Sequence, residues 1–237
     1  MPRTRFFACV VVLALSAVAA SAQEAQVPTL PVGQLPDGLI LDGSLSEPAW
    51  SAAAAAEDFA QTDPSEGAAP TGRTSVRVLA NARAIALGIV CDDPNPQGIV
   101  SFSVRRDAPL NNEDHVRIVL GPFLDGRSGY VFAVNPSGAR YDGLINPGGD
   151  NENADWDGIW EAATARTETG WSVEIRIPTQ TLGFKPGLRE WNFNVQRRIQ
   201  RLLETDRWAF PARQYQITQT SRAGLLTGLP AFNQGRG

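Results

Sequence analysis

Few residues of this chain are of the types that redox proteins and nucleophilic enzymes depend on. In 237 residues it has one histidine, His115, one methionine, Met1, and two cysteines, Cys9 and Cys91. If the amino-terminal segment that contains Cys9 is removed as a signal, Cys91 is the only remaining thiol, which excludes an internal disulfide. Cys91 lies in phase with the alternating apolar residues 85–89, so we interpret it as a small buried residue, with a catalytic thiol as the alternative.

Basic residues are also too few and too scattered for a nucleic-acid partner. The formal net charge is −4, Lys185 is the only lysine, and the arginines form no basic stripe. Beyond residue 22 no apolar run is long enough to cross a bilayer as a helix. We therefore expect neither a nucleic-acid partner nor a transmembrane helix.

The first 22 residues have the pattern of a secretory signal. Arg3 and Arg5 form a basic start, residues 6–20 are an apolar run, and Ala20-Ser21-Ala22 is a small-x-small cleavage site. This pattern predicts an exported protein, periplasmic or at the cell surface or secreted, whose mature chain begins near Gln23.

The remaining chain divides into three segments. The Pro-rich residues 23–37 predict a flexible lead-in, residues 38–230 one domain, and residues 231–237 a tail. The hydrophobic fraction of 43% is enough for one sizeable core.

Alternation of apolar and polar residues is the main structural signal. In 171–177, Trp171, Val173, Ile175 and Ile177 alternate with polar residues, and Thr169-Gly170 precedes them as a hairpin turn. Similar stretches recur at 74–80, 84–92, 115–120, 130–134, 139–144, 191–195, 208–210 and 223–229. A short helix is predicted from a Ser46 cap through the alanines to Ala56. About ten short strands with one or two short helices predict an all-β fold, an antiparallel β-sandwich of jelly-roll or immunoglobulin-like type.

Three motifs together resemble family 9 carbohydrate-binding modules. They are Leu41-Asp42-Gly43-x-Leu45-x-Glu47-Pro48-x-Trp50, Gly170-Trp171-x-Val173-Glu174-Ile175-x-Ile177-Pro178 and Trp191-x-Phe193-Asn194-Val195. The resemblance covers roughly residues 39–229. Further signatures at 105–107, 132–138 and 155–160 are similar to the branch in which such a module precedes an outer-membrane β-barrel.

The resemblance implies a β-sandwich that binds sugars without cleaving them, with bound calcium and a clamp of two tryptophans. This sequence departs from the clamp, since residues 108–112 and 219–222 occupy those positions without a tryptophan. A second function therefore stays open: a structural or interaction domain that packs against an outer-membrane barrel or a periplasmic partner.

The candidate carbohydrate site is built around Trp156, which has only polar neighbours. Sugars stack their apolar face on aromatic rings while charged and amide side chains take the hydroxyls. The predicted carbohydrate-binding residues are Trp156, Arg106, Asp107, Asn135, Asn194 and Arg197. The alternatives are that Trp156 plugs the end of the sandwich, that Arg105 or Arg106 pairs with Asp107 or Asp114, and that Asn135 is a turn residue.

Acidic loops are candidate calcium ligands, because calcium prefers several carboxylate and carbonyl oxygens. Asp92, Asp93 and Asn95 lie in one loop, and Asp150, Glu152, Asp155 and Asp157 in another. We predict Asp92, Asp93, Asp155 and Asp157 as metal ligands, although the spacing of an EF-hand is absent.

Other activities have weaker support. A glycoside hydrolase needs two facing carboxylates, for which Asp155, Asp157 and Glu161 are available. A domain associated with such an enzyme is a further alternative. No G-x-S-x-G elbow is present. Haem ligation would leave His115 with Lys185 as its best partner. We therefore predict no catalytic residues.

Overall fold

The structure is a computed structural model that describes residues 27–147 and 151–232. The predicted signal, the first residues of the lead-in, Asp150 and most of the predicted tail lie outside the described residues. Strands dominate the described part and pack as two sheets, which confirms the predicted all-β sandwich.

The described residues form fifteen strands, one α-helix and four single turns of 3-10 helix. The helix is α1 (Pro48–Ala52). The strands, in chain order, are β1 (Thr29–Pro31), β2 (Gly33–Gln34), β3 (Ala55–Ala56), β4 (Ala60–Asp63), β5 (Thr74–Ala80), β6 (Ala84–Asp92), β7 (His115–Gly121), β8 (Gly129–Val134), β9 (Arg140–Ile145), β10 (Glu152–Asn153), β11 (Glu161–Thr167), β12 (Gly170–Pro178), β13 (Glu190–Ile199), β14 (Glu204–Arg207) and β15 (Gly224–Thr227). The five strands beyond the predicted ten are short pieces of two to four residues, namely β1, β2, β3, β4 and β10.

Within the described residues, the larger sheet has nine strands and the smaller sheet has six. The larger sheet runs β1-β15-β13-β7-β8-β9-β10, with β14 and β4 continuing from β13, and the smaller runs β11-β12-β6-β5-β2, with β3 also on β5. Among the strands of the described ranges, only β1 with β15 and β2 with β5 pair in parallel. The two sheets are thus mixed, and the antiparallel pairs form most of each sheet.

The core lies between the sheets, and β12 shows why the chain folds this way. Trp171, Val173 and Ile175 point into the core and are fully buried, as the alternation predicts. On β6, residues 85, 87, 89 and 91 join the same core. The pKa of the Cys91 thiol is raised to about 12, mainly by burial, so this cysteine is a packing residue at neutral pH.

The other face of the smaller sheet is covered by the amino-terminal segment. Trp50 of α1 packs there with Ala84 and Ala86, so β6 is buried on both sides. Glu174 on β12 is fully buried and accepts hydrogen bonds from Trp50 Nε1 and from the backbone N–H groups of Asp42 and Gly43, each at 2.9 Å. The carboxylate thereby attaches this segment to the sheet.

Three predicted boundaries are wrong. α1 has Glu47 rather than Ser46 as its N-cap and ends at Ala52, and Ala55–Ala56 form β3 instead. Trp50 is the only side chain that α1 buries, and beyond the helix β3 pairs its backbone with β5 instead. Near the carboxyl end, the strand is β14 rather than residues 208–210.

The outer face of the larger sheet is covered only in part. Ile217, in the segment that follows β14, packs on Val119, Val131 and Ile145. The neighbouring positions on β7, β8 and β9 form the floor of an open cavity. Among the described residues, no helix has the length and apolar character needed to cross a membrane.

A polar cavity on the outer face of the larger sheet

A cavity of about 260 Å³ opens on the outer face of the larger sheet. The loop before β7 forms one wall, and side chains from β7, β8 and β9 form the floor. The lining residues are Asp107, Ala108, Pro109, Leu110, Asn111, His115, Arg117, Ala133 and Tyr141. The cavity thus combines charged, amide, aromatic and apolar groups, which is the composition of a small-molecule site.

Strand register brings the floor residues together. Arg117 on β7 pairs with Ala133 on β8, and Ala133 pairs with Tyr141 on β9, so the three side chains lie in one row on the same face. Ala133 is the smallest of the three. Because it lies between two long side chains, it leaves the space that the cavity occupies.

Arg117, Tyr141 and Glu152 form a connected polar group at the floor. Arg117 forms an ion pair with Glu152, and Tyr141 Oη donates a hydrogen bond of 3.0 Å to Glu152 Oε2. The Arg117 guanidinium lies 5.8 Å from the centre of the Tyr141 ring. Burial, with the nearby Glu152 carboxylate, raises the pKa of Tyr141 to about 12, so its phenol keeps its proton at neutral pH.

The histidine of the cavity wall is neutral under ordinary conditions. His115 is buried, and its Nδ1 lies 2.9 Å from the Glu113 carbonyl oxygen. Burial lowers the pKa of His115 to about 4. The imidazole therefore contributes no charge to the cavity near pH 7.

The apolar part of the wall comes from the loop. Leu110 packs with Ala133 and Ala139, and the partly buried Ala108 and Tyr141 pack against this group. A ligand in the cavity would therefore meet an apolar wall beside the polar floor.

Of the two adjacent predicted residues Arg106 and Asp107, only Asp107 is at the cavity. Asp107 lines the cavity. Arg106 points away from it and donates to Asp142 Oδ1 at 2.7 Å and to the Gly158 carbonyl at 2.9 Å, and it also pairs with Asp157. Arg106 lies 3.6 Å from Asp107 as well. The sequence left open a structural ion pair between Arg106 and Asp107. The structure contains this pair, and Arg106 also pairs with Asp142 and Asp157.

Trp156 packs against the end of the sandwich core. It is half-buried, and its ring centre lies 4.9 Å from that of Tyr130 and 6.1 Å from that of Phe132. Gly158 passes beneath the ring so closely that a Cβ there would lie 2.6 Å from it. The sequence left two interpretations open, a sugar-binding ring and a ring that plugs the end of the sandwich. The structure favours the second.

The other three predicted carbohydrate ligands are buried. Asn135 accepts from the backbone N–H groups of Ser137 and Ala139 in the β8–β9 turn. Asn194 donates to the Ala209 carbonyl at 3.0 Å. Arg197 has no exposed side-chain surface and donates to the Arg73 carbonyl at 3.0 Å. Since their side chains bind neighbouring protein groups, we leave them out of the candidate site.

The predicted metal ligands do not form a cluster in the described residues. Asp93 pairs with Arg201 and, at 4.0 Å, with Arg197. Asp157 pairs with Arg106, and Asp92 accepts from Thr169 Oγ1 at 2.6 Å. No group of three or more His, Cys, Asp and Glu side chains in the described ranges is arranged to hold a metal ion. Asp92, Asp93, Asp155 and Asp157 thus do not fit a shared calcium site, and calcium binding stays a prediction.

Two of the three carboxylates considered for hydrolysis pair with arginines. Asp157 pairs with Arg106, and Glu161 lies 3.8 Å from Arg176. Asp155 is exposed, and its backbone N–H donates to Asn153 Oδ1.

Arg117 and Tyr141 were not predicted as site residues from the sequence, and Glu152 was considered only as a member of the acidic loop with the candidate calcium ligands. The signal for Arg117 was available, because it occupies the polar phase of a predicted strand. Its proximity to Tyr141 depends on how β7, β8 and β9 are aligned, which alternation within each strand does not give.

Comparisons with known proteins find similar structures but no matching sequence. No protein-family model and no curated protein sequence matches the chain. A family 9 carbohydrate-binding module from Caldicellulosiruptor kristjanssonii, solved in complex with cellotriose, superposes with a TM-score of 0.61 at 16% identity over 89% of this chain and 95% of the module. The module from the same organism in complex with glucose gives a TM-score of 0.59 at 14% identity, over 87% of this chain and 97% of the module.

A third similar structure comes from Bacteroides uniformis and belongs to a protein with a suggested role in carbohydrate binding. Its TM-score is 0.64 at 13% identity, covering 85% of this chain and 99% of that one. Identities this low establish the architecture alone. The chain therefore has the β-sandwich fold seen in family 9 carbohydrate-binding modules.

Proposed function

We propose that this chain is a non-catalytic carbohydrate-binding domain and that the sugar binds in the cavity floored by Arg117 and Tyr141. The observation that carries the proposal is the row formed by Arg117, Ala133 and Tyr141. This row presents a guanidinium and an aromatic ring to one open space of about 260 Å³.

Each group has a role that suits a pyranose. The Tyr141 ring offers a face for the apolar side of the sugar. Arg117 offers several N–H donors in a fixed geometry, and Asp107 at the rim offers acceptors, so that hydroxyl groups have partners of both kinds. Glu152 holds Arg117 and Tyr141 in position from below.

The fold supports the proposal at the level of ligand class. Two modules with the same architecture are solved with cellotriose and with glucose. The cavity here differs from the tryptophan clamp that the resemblance implies, because residues 108–111 of its wall carry no aromatic ring. We therefore infer a site in which one tyrosine and one arginine replace a two-sided aromatic clamp, and we expect modest affinity.

We also propose that the protein acts outside the cytoplasm. The signal pattern in residues 1–22 supports export to the periplasm, the cell surface or the medium. Association with an outer-membrane barrel rests on the similarity of residues 105–107, 132–138 and 155–160 to the branch that carries one. Fractionation of cells with an antibody to the protein would test both points.

The binding experiment uses isothermal titration calorimetry with glucose, xylose, mannose and N-acetylglucosamine, each beside its β-1,4-linked trisaccharide. The wild-type protein, Arg117→Ala and Tyr141→Ala are compared, with Trp156→Phe as a control at the other predicted site. We expect binding of at least one sugar, a loss of about tenfold or more in each cavity variant because a hydrogen-bonding or stacking partner is removed, and no change in the control.

Two results would contradict the proposal. A folded wild-type protein that binds none of these sugars would favour an interaction domain instead. Binding that survives both cavity variants and disappears in a Trp156 variant would move the site to the end of the sandwich.

A further inference from the structure

A second depression adjoins the cavity, on the loop between β6 and β7. It has a volume of about 520 Å³ and is lined by Phe102, Ser103, Val104, Arg105, Ala108, Pro109, Asn111 and Asn112. Ala108, Pro109 and Asn111 also line the first cavity. The two spaces therefore share one wall.

The shared wall lies beside two large apolar side chains that are open to solvent. Phe102 is 67% exposed and Val104 is 72% exposed. A single exposed apolar residue is ordinary on a protein surface. Phe102 and Val104 are unusual because they line a concave space that adjoins the Arg117 cavity. Amide and guanidinium groups line the same space.

The backbone beneath Phe102 is firmly held. Glu113 is fully buried and its carboxylate accepts from the N–H of Phe102 at 2.7 Å and from the N–H of Ser103 at 3.0 Å. Asn135 donates to the same carboxylate and to the Ser103 carbonyl, both at 2.8 Å. Burial alone would raise the pKa of Glu113, but these hydrogen bonds outweigh it and the pKa is lowered, so the carboxylate stays charged at neutral pH.

This support keeps an aromatic ring outside the core. A loop whose backbone is fixed by a buried carboxylate keeps the Phe102 ring on the solvent side. Because the backbone is ordered before binding, a ligand that stacks on the ring does not have to order the loop.

We infer that the Phe102 depression is a second sugar-binding subsite and that the ligand is an oligosaccharide which reaches across the shared wall from the Arg117 cavity. This inference rests on the proposed function. One sugar unit occupies the cavity, the chain passes Asn111, and a further unit stacks on Phe102 with Asn112 and Arg105 available to its hydroxyls.

The test compares chain lengths. The wild-type protein is titrated with the four monosaccharides and their β-1,4-linked trisaccharides, by calorimetry for the trisaccharides and by ligand-observed NMR for weak monosaccharide binding. Phe102→Ala removes the ring, Phe102→Tyr keeps it, and Ile159→Ala is a matched control, since Ile159 is 79% exposed and lines neither space.

For wild type we expect a trisaccharide to bind about fivefold more tightly than its monosaccharide, as one additional stacking contact would give. Phe102→Ala should remove this advantage and leave monosaccharide affinity unchanged. Phe102→Tyr and Ile159→Ala should behave like wild type.

The outcomes separate the two proposals. If wild type binds no sugar of either length, the proposed function fails and the subsite fails with it. If sugars bind and Arg117→Ala weakens them, but Phe102→Ala keeps the full length advantage, the second subsite alone is overturned. Equal affinity of wild type for short and long sugars would overturn it in the same way.

Discussion

The Trp156 end of the sandwich and the Arg117 cavity are built from the same kinds of residues but differ in what those residues contact. At the Trp156 end, Arg106 pairs with three carboxylates and donates to a carbonyl, and the tryptophan ring packs on Tyr130 and Phe132. At the cavity, Arg117 has one carboxylate partner and shares an open space with the Tyr141 ring. An arginine beside an aromatic ring therefore indicates a binding site only where the surrounding structure leaves a concave space.

The largest effect that we expect is on stability, from Arg106→Ala. Asp142 is fully buried, and its partners are Arg106 and the N–H of Gly158. Removing the arginine leaves a buried carboxylate without its counter-charge, which costs about 3 kcal/mol. Urea unfolding of wild type and variant measures the loss.

Arg105→Ala is the control for Arg106→Ala. Arg105 is exposed, so the same change of charge should alter the free energy of unfolding by less than about 0.5 kcal/mol. If Arg106→Ala were as stable as wild type and bound sugar less well, the distinction between the two regions would be wrong.

Trp156→Ala should destabilise the protein by about 2 kcal/mol and leave sugar affinity unchanged. Truncation of a fully buried tryptophan costs more unfolding free energy than this, but Trp156 is only half-buried. Trp156→Phe should recover much of the stability, because a ring would still face Tyr130. Thermal unfolding and calorimetric titration of the same samples give both quantities. A fall in affinity without a fall in melting temperature would restore Trp156 as a ligand.

The third prediction concerns the pH dependence of stability at the cavity wall. The pKa of His115 is lowered to about 4 in the folded protein, so the unfolded chain takes up a proton as pH falls below 6.5 while the folded protein does not. The contribution of His115 to stability is therefore complete above pH 6.5 and is lost as pH falls toward 4. His115→Gln should remove roughly 1 to 2 kcal/mol of this acid destabilisation.

Asp206 provides a contrast of opposite sign, away from the cavity. Burial, together with the charge of Glu204, raises the pKa of Asp206 to about 7. The folded protein therefore keeps this proton between pH 3.8 and 7, where the unfolded chain loses it. The contribution of Asp206 to stability is complete below pH 3.8 and is lost as pH rises through 7. Urea unfolding at pH 4.5 and 7.5 should therefore show less acid sensitivity in His115→Gln and more in Asp206→Asn than in wild type. Equal pH profiles for the three proteins would contradict both assignments.

The sequence predicted those parts of the fold that local pattern determines. The alternation of Trp171, Val173 and Ile175 predicted a core strand, and Thr169-Gly170 predicted the hairpin turn before it, which the structure contains. These features depend on residues near one another in the chain, whose spacing is visible without knowing the tertiary structure.

The site could not be predicted in the same way. Arg117 and Glu152 are 35 residues apart in sequence, and they meet because β10 pairs with β9 and β9 with β8. Polar neighbours around Trp156 suggested an exposed ring, but neighbours in sequence do not determine which way a side chain points. Asp107 was the one predicted ligand that the structure places at the cavity.

The smallest effect that we expect is from Tyr141→Phe, and it divides the role of the tyrosine into ring and hydroxyl. The variant keeps an aromatic face beside Arg117 and loses the hydrogen bond to Glu152, which still has its ion pair with Arg117. Because stacking needs only the ring, affinity in titrations should fall by less than about threefold, whereas Tyr141→Ala should lose about tenfold. If Tyr141→Phe lost as much as Tyr141→Ala, the hydroxyl would itself bind sugar or hold Arg117 in place. A double variant of Tyr141→Phe with Glu152→Gln separates those two cases, since losses that fail to add would place the hydroxyl and Glu152 in one positioning unit.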